Sequence, residues 1–495
     1  MPQLQQGSSL PRSTPEQEGV SPDKIVSFLD AVAERKIELH SFMMLRHGKV
    51  VAEGWWKPYE KNSPHLLYSL SKSFTSTAIG FAVSEGLLTV EDLIGGYFKE
   101  DYPENPDEKL KQLKVKHLLS MSTGHNTDMT MLAAQETNWA KLFFDTPLEF
   151  EPGTHFFYNN LATYMLSALI TKVTGKTTLD YLMPRLFEPL GIERPVWETC
   201  PKGYNTGGWG LALKTEDIAK FGLLYLNKGV YDGTRILSES WIEEATTKKV
   251  ENGTDPESDW TQGYGYQFWR CRFNAYRGDG AFGQFCIVLP EKDAVIVFTS
   301  GVPDLQQVLN VTYAHLLPAL GEELVVPASV QEESKASETS PALAARLSSL
   351  SYPPPVYMSA TPLEKGLEEL VVIPDTQADG FERVILKLKE HFLELVLERE
   401  GKAYKILAGR ERWLEAYTEL FMPMTPGITT DRVRTMGSFT WQSEDLLLVT
   451  LRLVDTPYTM KIRISLKEGR CTLNADYNLS FRGVHFFSFD GHYLF

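Results

Sequence analysis

Apolar positions first cluster between Ser41 and Trp56, SFMMLRHGKVVAEGWW, where two apolar runs flank His47-Gly48-Lys49. That pattern around a Gly-containing turn predicts a β-hairpin that opens a sheet. From Ser69 to Glu85 the residues are mostly small or apolar, no proline interrupts them, and Gly86 follows. This is the pattern of a buried helix. Further helices are predicted over Leu161 to Thr174 and Thr215 to Asn227. From Tyr264 to Gly301 the pattern shifts to short runs, GYGYQFWRCRF, FGQFCIVLP and DAVIVFTSG, separated by Gly, Pro and Asp. These read as successive antiparallel strands, and a last helix over Asp304 to Leu320 packs back on them. The first and last strands of the sheet then lie far apart in sequence.

Residues Pro327 to Pro341, PASVQEESKASETSP, are small and polar. They bury too little to fold alone and read as a linker. Beyond them, runs such as RVILKLKEHFLELVLERE, SEDLLLVTLRLVD and YTMKIRISLKEGRCTLNADY alternate apolar with polar positions, which predicts an antiparallel barrel or sandwich. The expected organisation is a first domain over residues 1–326, a linker over 327–341 and a β-rich domain over 342–495. A chain of 495 residues exceeds what one hydrophobic core usually serves.

Composition narrows the partners. The formal charge of −15 sets nucleic acid aside, because backbone binding rests on clustered Lys and Arg. The four cysteines, Cys200, Cys271, Cys286 and Cys471, show no C-x-x-C spacing, so neither a disulfide framework nor a cysteine zinc site is indicated. No cofactor or metal is implied. The N-terminus shows no basic segment followed by an apolar one, and no apolar run reaches the ~18 residues of a membrane span. The expectation is a cytoplasmic protein.

Candidate chemistry begins at Ser69-Leu70-Ser71-Lys72, which sets an amine three residues beyond a hydroxyl on one helical face. S-x-x-K also occurs at Ser21-Pro22-Asp23-Lys24, where Ser before Pro and Asp reads as a helix N-cap. Ser69 instead follows the apolar His65-Leu66-Leu67-Tyr68 and enters an apolar helix. There a helix dipole stabilises negative charge and burial lowers a lysine pKa. N-capping by Ser69 remains an alternative. In Tyr158-Asn159-Asn160 a phenol and an amide two residues apart face one cleft if the segment is extended. Tyr225-Leu226-Asn227 repeats the spacing at a helix end and reads as core plus C-cap. Gly278-Asp279-Gly280-Ala281-Phe282-Gly283 matches G-x-G-x-x-G but leads into a strand, so it reads as a glycine-rich strand edge and not a dinucleotide site. Substrate backbone can lie close to Gly278, Asp279 and Gly280, and the Ala281 N–H with that of Ser69 forms a candidate oxyanion hole.

YSLSKSFTSTAIGFAVSEGLLTVEDLI, VKHLLSMSTGH, EPGTHFFYNNLATYMLSALITKVTGKTTLDYLMPRLFEPLGI and GWGLALKTEDIAKFGLLYLNKGV, in that order, closely resemble class C β-lactamases, family VIII esterases, D-aminopeptidases and 6-aminohexanoate-dimer hydrolases. The resemblance covers roughly residues 10 to 320 and implies an α+β, β-lactamase/DD-peptidase fold: an antiparallel sheet flanked by helices, with a helical lobe. It further implies a lipocalin-like C-terminal barrel. By the same resemblance Ser69 attacks a carbonyl, Lys72 and Tyr158 share its proton, and Asn160 holds Lys72 and the substrate amide. One departure stands out: the family's third motif usually begins with Lys or His, and Gly278 occupies that place. The expected partner is a small-molecule ester, amide or peptide substrate, and the departure favours esters or amides without a free carboxylate. Arg272 and Arg277 are candidate replacements, although both read as surface arginines. Other readings stay open: acyl transfer or peptide cyclisation on the same scaffold, β-lactamase or D-amino-peptidase activity, and a silent β-lactam- or peptide-binding protein. Neither G-x-S-x-G nor H-E-x-x-H occurs.

Overall fold

The structure is a computed structural model that describes residues 9–321, 340–366, 368–376, 380–420, 432–481 and 483–494. Six strands form the first sheet: β1 (Leu39–Arg46), β2 (Lys49–Trp55), β3 (Trp269–Arg270), β4 (Tyr276–Gly280), β5 (Gln284–Leu289) and β6 (Ala294–Ser300). Their order is β2-β1-β6-β5-β4-β3, with antiparallel neighbours throughout. The opening hairpin turns at His47 (φ 48°) and Gly48 (φ 74°), the paired left-handed residues of a tight hairpin loop. The expected run GYGYQFWRCRF yields only the two-residue strand β3. Left-handed Gln267 (φ 66°), Phe273 (φ 58°) and Asn274 (φ 52°) break the extended backbone there.

Both faces of the sheet are covered, which explains why its strands read as near-continuous apolar runs. Met43 and Leu45 of β1 join Cys286, Val288, Val295 and Val297 in a core with helices α2 (Ser71–Ser84), α3 (Asn160–Thr174) and α4 (Thr215–Leu226). Phe42 and Met44 point the opposite way and join Phe285, Ile287, Ile296 and Phe298 in a second core. That second core is closed by α1 (Pro22–Glu34) and by a helical run over 305–319. Ser21 caps α1, its Oγ accepting from Lys24 N at 3.4 Å with Pro22 in the first turn, so the second S-x-x-K is structural. Tyr225 is buried with its hydroxyl 2.8 Å from Thr77 Oγ1, and Asn227 is the C-cap of α4.

Most of the expected linker, 327–339, lies outside the described residues. From Pro341 the chain forms α5 (Pro341–Ser348), and Leu343 and Leu350 enter the same core as α1.

The C-terminal part is a closed barrel of nine strands: Leu370–Pro374, Phe381–Leu388, Phe392–Arg399, Lys402–Arg410, Val433–Ser443, Leu446–Leu453, Thr459–Lys467, Arg470–Tyr477 and His485–Leu494. Successive neighbours are antiparallel. An odd number then forces the closing pair to be parallel, which is how Gly409 and Arg410 meet Ser438 and Phe439. A Cβ at Gly437 would lie 2.1 Å from Leu407 O, so the crossing at the seam requires glycine.

The barrel grips the first sheet's rim. Leu66, Tyr68 and Phe282 belong to the barrel's own core cluster. Leu66 N donates to Asp455 O at 2.8 Å, and Arg452 Nη1 donates to Glu38 Oε1 at 2.6 Å. Burial works against the Glu38 carboxylate, but its bond with His40 and the charge of Arg452 hold it ionised, at about 2. Among the described residues no helix is long and apolar enough to cross a membrane.

Candidate active site

The approach to Ser69 is strained. His65 and Leu66 form a short strand, Tyr68 then adopts φ 49°, and a single 3-10 turn over Tyr68–Leu70 leads into α2. A bulky aromatic residue is disfavoured in the left-handed region, so the surroundings must hold it there. Ser71 supplies one hold: its Oγ donates to Tyr68 O at 2.6 Å and accepts from Leu211 N at 3.2 Å. The barrel supplies another, since the hydroxyls of Tyr68 and Tyr458 are 2.6 Å apart.

The start of α2 carries no side-chain cap. The Ser69 hydroxyl instead accepts from Lys72 Nζ at 3.0 Å. Lys72 is 1% exposed, and its Nζ also donates to Asn160 Oδ1 and to Gly208 O, each at 2.7 Å. Burial pushes its pKa down to about 7, against the opposing pull of Asp279 and Asp128. Such an amine is partly neutral near pH 7 and able to take a proton.

Tyr158 and Asn160 come to the same place from the start of α3. Asn159 is the extended N-cap, its Oδ1 accepting from Leu161 N and Ala162 N, which leaves its two neighbours to face one cavity. Tyr158 lines the cavity with Ser69, and its ring lies 4.9 Å from Lys72 Nζ and stacks on Trp269. Burial pushes this phenol well up, so it keeps its proton. Asn160 Nδ2 donates to Thr130 Oγ1 at 2.9 Å, which fixes its carbonyl toward Lys72.

Strand β4 closes the other side. A Cβ at Gly280 would lie 2.0 Å from Leu67 O, and one at Gly278 would lie 2.4 Å from Leu70 Cδ1 and 2.7 Å from Ser73 Oγ. Both glycines therefore let the strand press against the turn that carries Ser69. They face that turn and α2, while Asp279 and Ala281 line the cavity with Ser69.

The two candidate cations stand elsewhere. Arg277 is fully buried, which corrects the reading of it as a surface residue. It donates from Nε to Asp279 Oδ2 at 2.9 Å and lies 4.4 Å from the Trp260 ring centre. Burial pushes the Asp279 carboxyl up, and Arg277 opposes this. Arg272 is tied to Asp259, with Nη2 to Oδ2 at 2.9 Å.

The cavity measures about 900 Å³. Its walls are largely aromatic, from Tyr68, Tyr158, Trp209, Trp260, Trp269 and Phe481, with Asp128, Thr130 and Met131 from the helical lobe. Several of these carry no local signal. Trp209 and Gly208 fall within the resembling block GWGLALK, whereas Asp128, Trp260 and Phe481 lie in segments that suggest only loops.

Several known proteins are similar to this chain. The 6-aminohexanoate-dimer hydrolase of Paenarthrobacter ureafaciens is 28% identical over 323 residues, covering 57% of this chain and 80% of that protein. An Escherichia coli O157:H7 protein assigned by name to the D-alanyl-D-alanine carboxypeptidases is 22% identical, covering 50% of this chain and 74% of its own length. Among solved structures, a Bacillus anthracis protein assigned by name to the 6-aminohexanoate-dimer hydrolases superposes with a TM-score of 0.52 at 22% identity. That match covers 64% of this chain and 88% of the other. Residues 28–316 match the β-lactamase family model, and the chain belongs to that family.

Proposed function

We propose that this protein is a serine hydrolase that cleaves an uncharged ester or amide through an acyl-enzyme on Ser69. The observation that carries the reading is the buried Lys72 amine, 3.0 Å from Ser69 Oγ and lowered to about 7 by burial.

In this reading Lys72, once neutral, accepts the Ser69 proton as Oγ attacks the carbonyl carbon. Asn160 Oδ1 and Gly208 O keep the amine aimed. The negative oxygen that forms is met by the N–H groups of Ser69 and Ala281. Tyr158 keeps its own proton at neutral pH, lines the cavity with Ser69 and suits the relay of a proton to the leaving group. Water then attacks the acyl-enzyme and the same groups run in reverse. The preference for uncharged substrates rests on the walls: the cavity is lined by aromatic rings and two carboxylates, Asp128 and Asp279, and neither Arg272 nor Arg277 lines it.

The test is labelling with a fluorophosphonate, which modifies an activated serine. Covalent adduct on Ser69, absent in Ser69→Ala, is expected. An unlabelled native protein would contradict the reading and favour a binding module. A panel of neutral esters, amides and a chromogenic cephalosporin then assigns the substrate class.

A further inference from the structure

Phe481 belongs to the C-terminal barrel, yet it lines the cavity that holds Ser69. It sits in the connection between strands Arg470–Tyr477 and His485–Leu494. Its ring centre lies 4.8 Å from that of Phe282 and 5.9 Å from that of Tyr68, the residues beside Ala281 and Ser69. These contacts cover only part of it, since Phe481 remains 52% exposed. On the helical-lobe side of the same cavity Met131 is 43% exposed. Two large apolar side chains left half open in one cavity, when most of the chain's large apolar residues are buried, mark a surface that a ligand covers.

The connection that carries Phe481 is anchored at its base. Asn478 N donates to Thr459 O at 2.9 Å, and Asn478 Oδ1 accepts from Thr459 N at 2.7 Å. Leu479 is buried in the barrel core, and Tyr477 N donates to Val484 O at 2.7 Å. The barrel in turn is fixed to the turn before Ser69 by Tyr458, whose hydroxyl meets that of Tyr68. Phe481 is thus held over the cavity by two sets of hydrogen bonds that do not involve its own side chain.

Resting on the acyl-enzyme reading above, we propose that the C-terminal barrel forms one wall of the substrate pocket, with Phe481 a specificity-determining residue for an aryl or branched apolar arm next to the scissile carbonyl. Phe481 takes no part in proton transfer. It raises affinity for substrates that extend far enough to cover its ring.

The experiment compares the full-length parent with Phe481→Ala and Phe481→Leu. Acyl length is varied with methyl acetate against methyl 4-phenylbutyrate. The leaving group is varied with methyl butyrate against benzyl butyrate. A buried ring is worth roughly ten- to a hundredfold in selectivity. Phe481→Ala is expected to lower kcat/KM about tenfold or more for at least one of the two phenyl-bearing esters, mainly through KM, and to leave methyl acetate and methyl butyrate within about twofold. Phe481→Leu should recover part of the loss, and the thermal midpoint should hold because the ring is half exposed. Equal losses on all four substrates, or none on any, would overturn the proposal. Fluorophosphonate labelling of Ser69 in each variant separates the two levels. Normal labelling without a change in selectivity removes only the pocket assignment, whereas absence of labelling in the parent removes the acyl-enzyme reading and this proposal with it.

Discussion

The hydroxyls of Tyr68 and Tyr458 lie 2.6 Å apart, joining the residue before Ser69 to the C-terminal barrel. Tyr68 is held at φ 49°, and a strained residue of this kind costs about 1 to 3 kcal/mol that its surroundings must offset. Phe282 packs edge-on to both rings and shares the barrel's core with them. Tyr458→Phe removes one hydrogen bond, worth about 0.5 to 1.5 kcal/mol, without changing the ring. We expect kcat to fall roughly three- to tenfold with KM little altered, together with slower labelling of Ser69 by a small fluorophosphonate. An unchanged labelling rate would show that the turn keeps its shape without this contact.

The same interface makes a prediction for truncation. A chain ending at residue 353 keeps α5 but exposes Leu66, Tyr68 and Phe282, and it leaves Glu38 without Arg452. Removing one partner of a partly buried ion pair and baring an apolar patch both destabilise the fold. Such a chain should aggregate, or should stay soluble with little activity. Full activity of the soluble truncated chain in an ester assay would show that the barrel is dispensable.

Ser69→Ala should abolish turnover while leaving the thermal midpoint almost unchanged, because Lys72 Nζ retains Asn160 Oδ1 and Gly208 O as acceptors. Lys72→Ala and Tyr158→Phe should each cost about two to four orders of magnitude. Their effects should not multiply, since both groups serve one proton path. A double variant that loses the full product of the single losses would contradict a shared path.

The pH dependence follows from the sign of the lysine shift. Lys72 is lowered from 10.5 to about 7 by burial, so its neutral form is favoured in the folded protein. Below about pH 7 the amine is protonated and unable to accept the serine proton. Labelling of Ser69 should therefore drop about tenfold per pH unit there and level off above. Between about pH 7 and 10 the unfolded chain holds this proton more tightly than the folded one, so stability should rise with pH across that window. Lys72→Met should flatten both curves, and a labelling profile flat down to pH 5 in the parent would remove lysine as the base.

Much of this site was legible from local pattern. The apolar helix after Ser69 and the extended Tyr158-Asn159-Asn160 before a second helix depend on neighbours in sequence, and they correspond to the helix that follows Ser69 and carries Lys72 and to the helix that begins at Asn160 after Tyr158. What escaped depends on distant contacts. Arg277 reads as solvated because arginines usually are, yet Asp279, Trp260 and Trp269 enclose it. The aromatic alternation in GYGYQFWRCRF suggests a full strand, but only Trp269 and Arg270 pair as one, and Tyr264 and Trp269 pack around Tyr158. Nothing local to Phe481 places it near Ser69, more than four hundred residues earlier, because only closure of the barrel brings it there.

The last prediction concerns substrate choice and turns on Gly278. A cation at this place would meet a substrate carboxylate with a charge-assisted hydrogen bond worth about 1.5 to 3 kcal/mol, so its absence should cost penicillins roughly ten- to a hundredfold. Neutral esters do not feel that loss. Restoring the cation at Gly278 itself should fail, because a Cβ there would lie 2.4 Å from Leu70 Cδ1 and 2.7 Å from Ser73 Oγ at the start of α2. Gly278→Lys should therefore lower soluble yield and activity toward every substrate. Met131 is a better position, since it lines the cavity and is 43% exposed. Met131→Lys should raise acylation by a cephalosporin about three- to tenfold and leave p-nitrophenyl acetate hydrolysis nearly unchanged, less than a buried pair would achieve because solvent screens the charge. The measurement is kcat/KM for the cephalosporin against the neutral ester in the parent and both variants. Efficient cephalosporin turnover by the parent would show that a carboxylate is accepted without a cation in the wall, and the preference for uncharged substrates would fall.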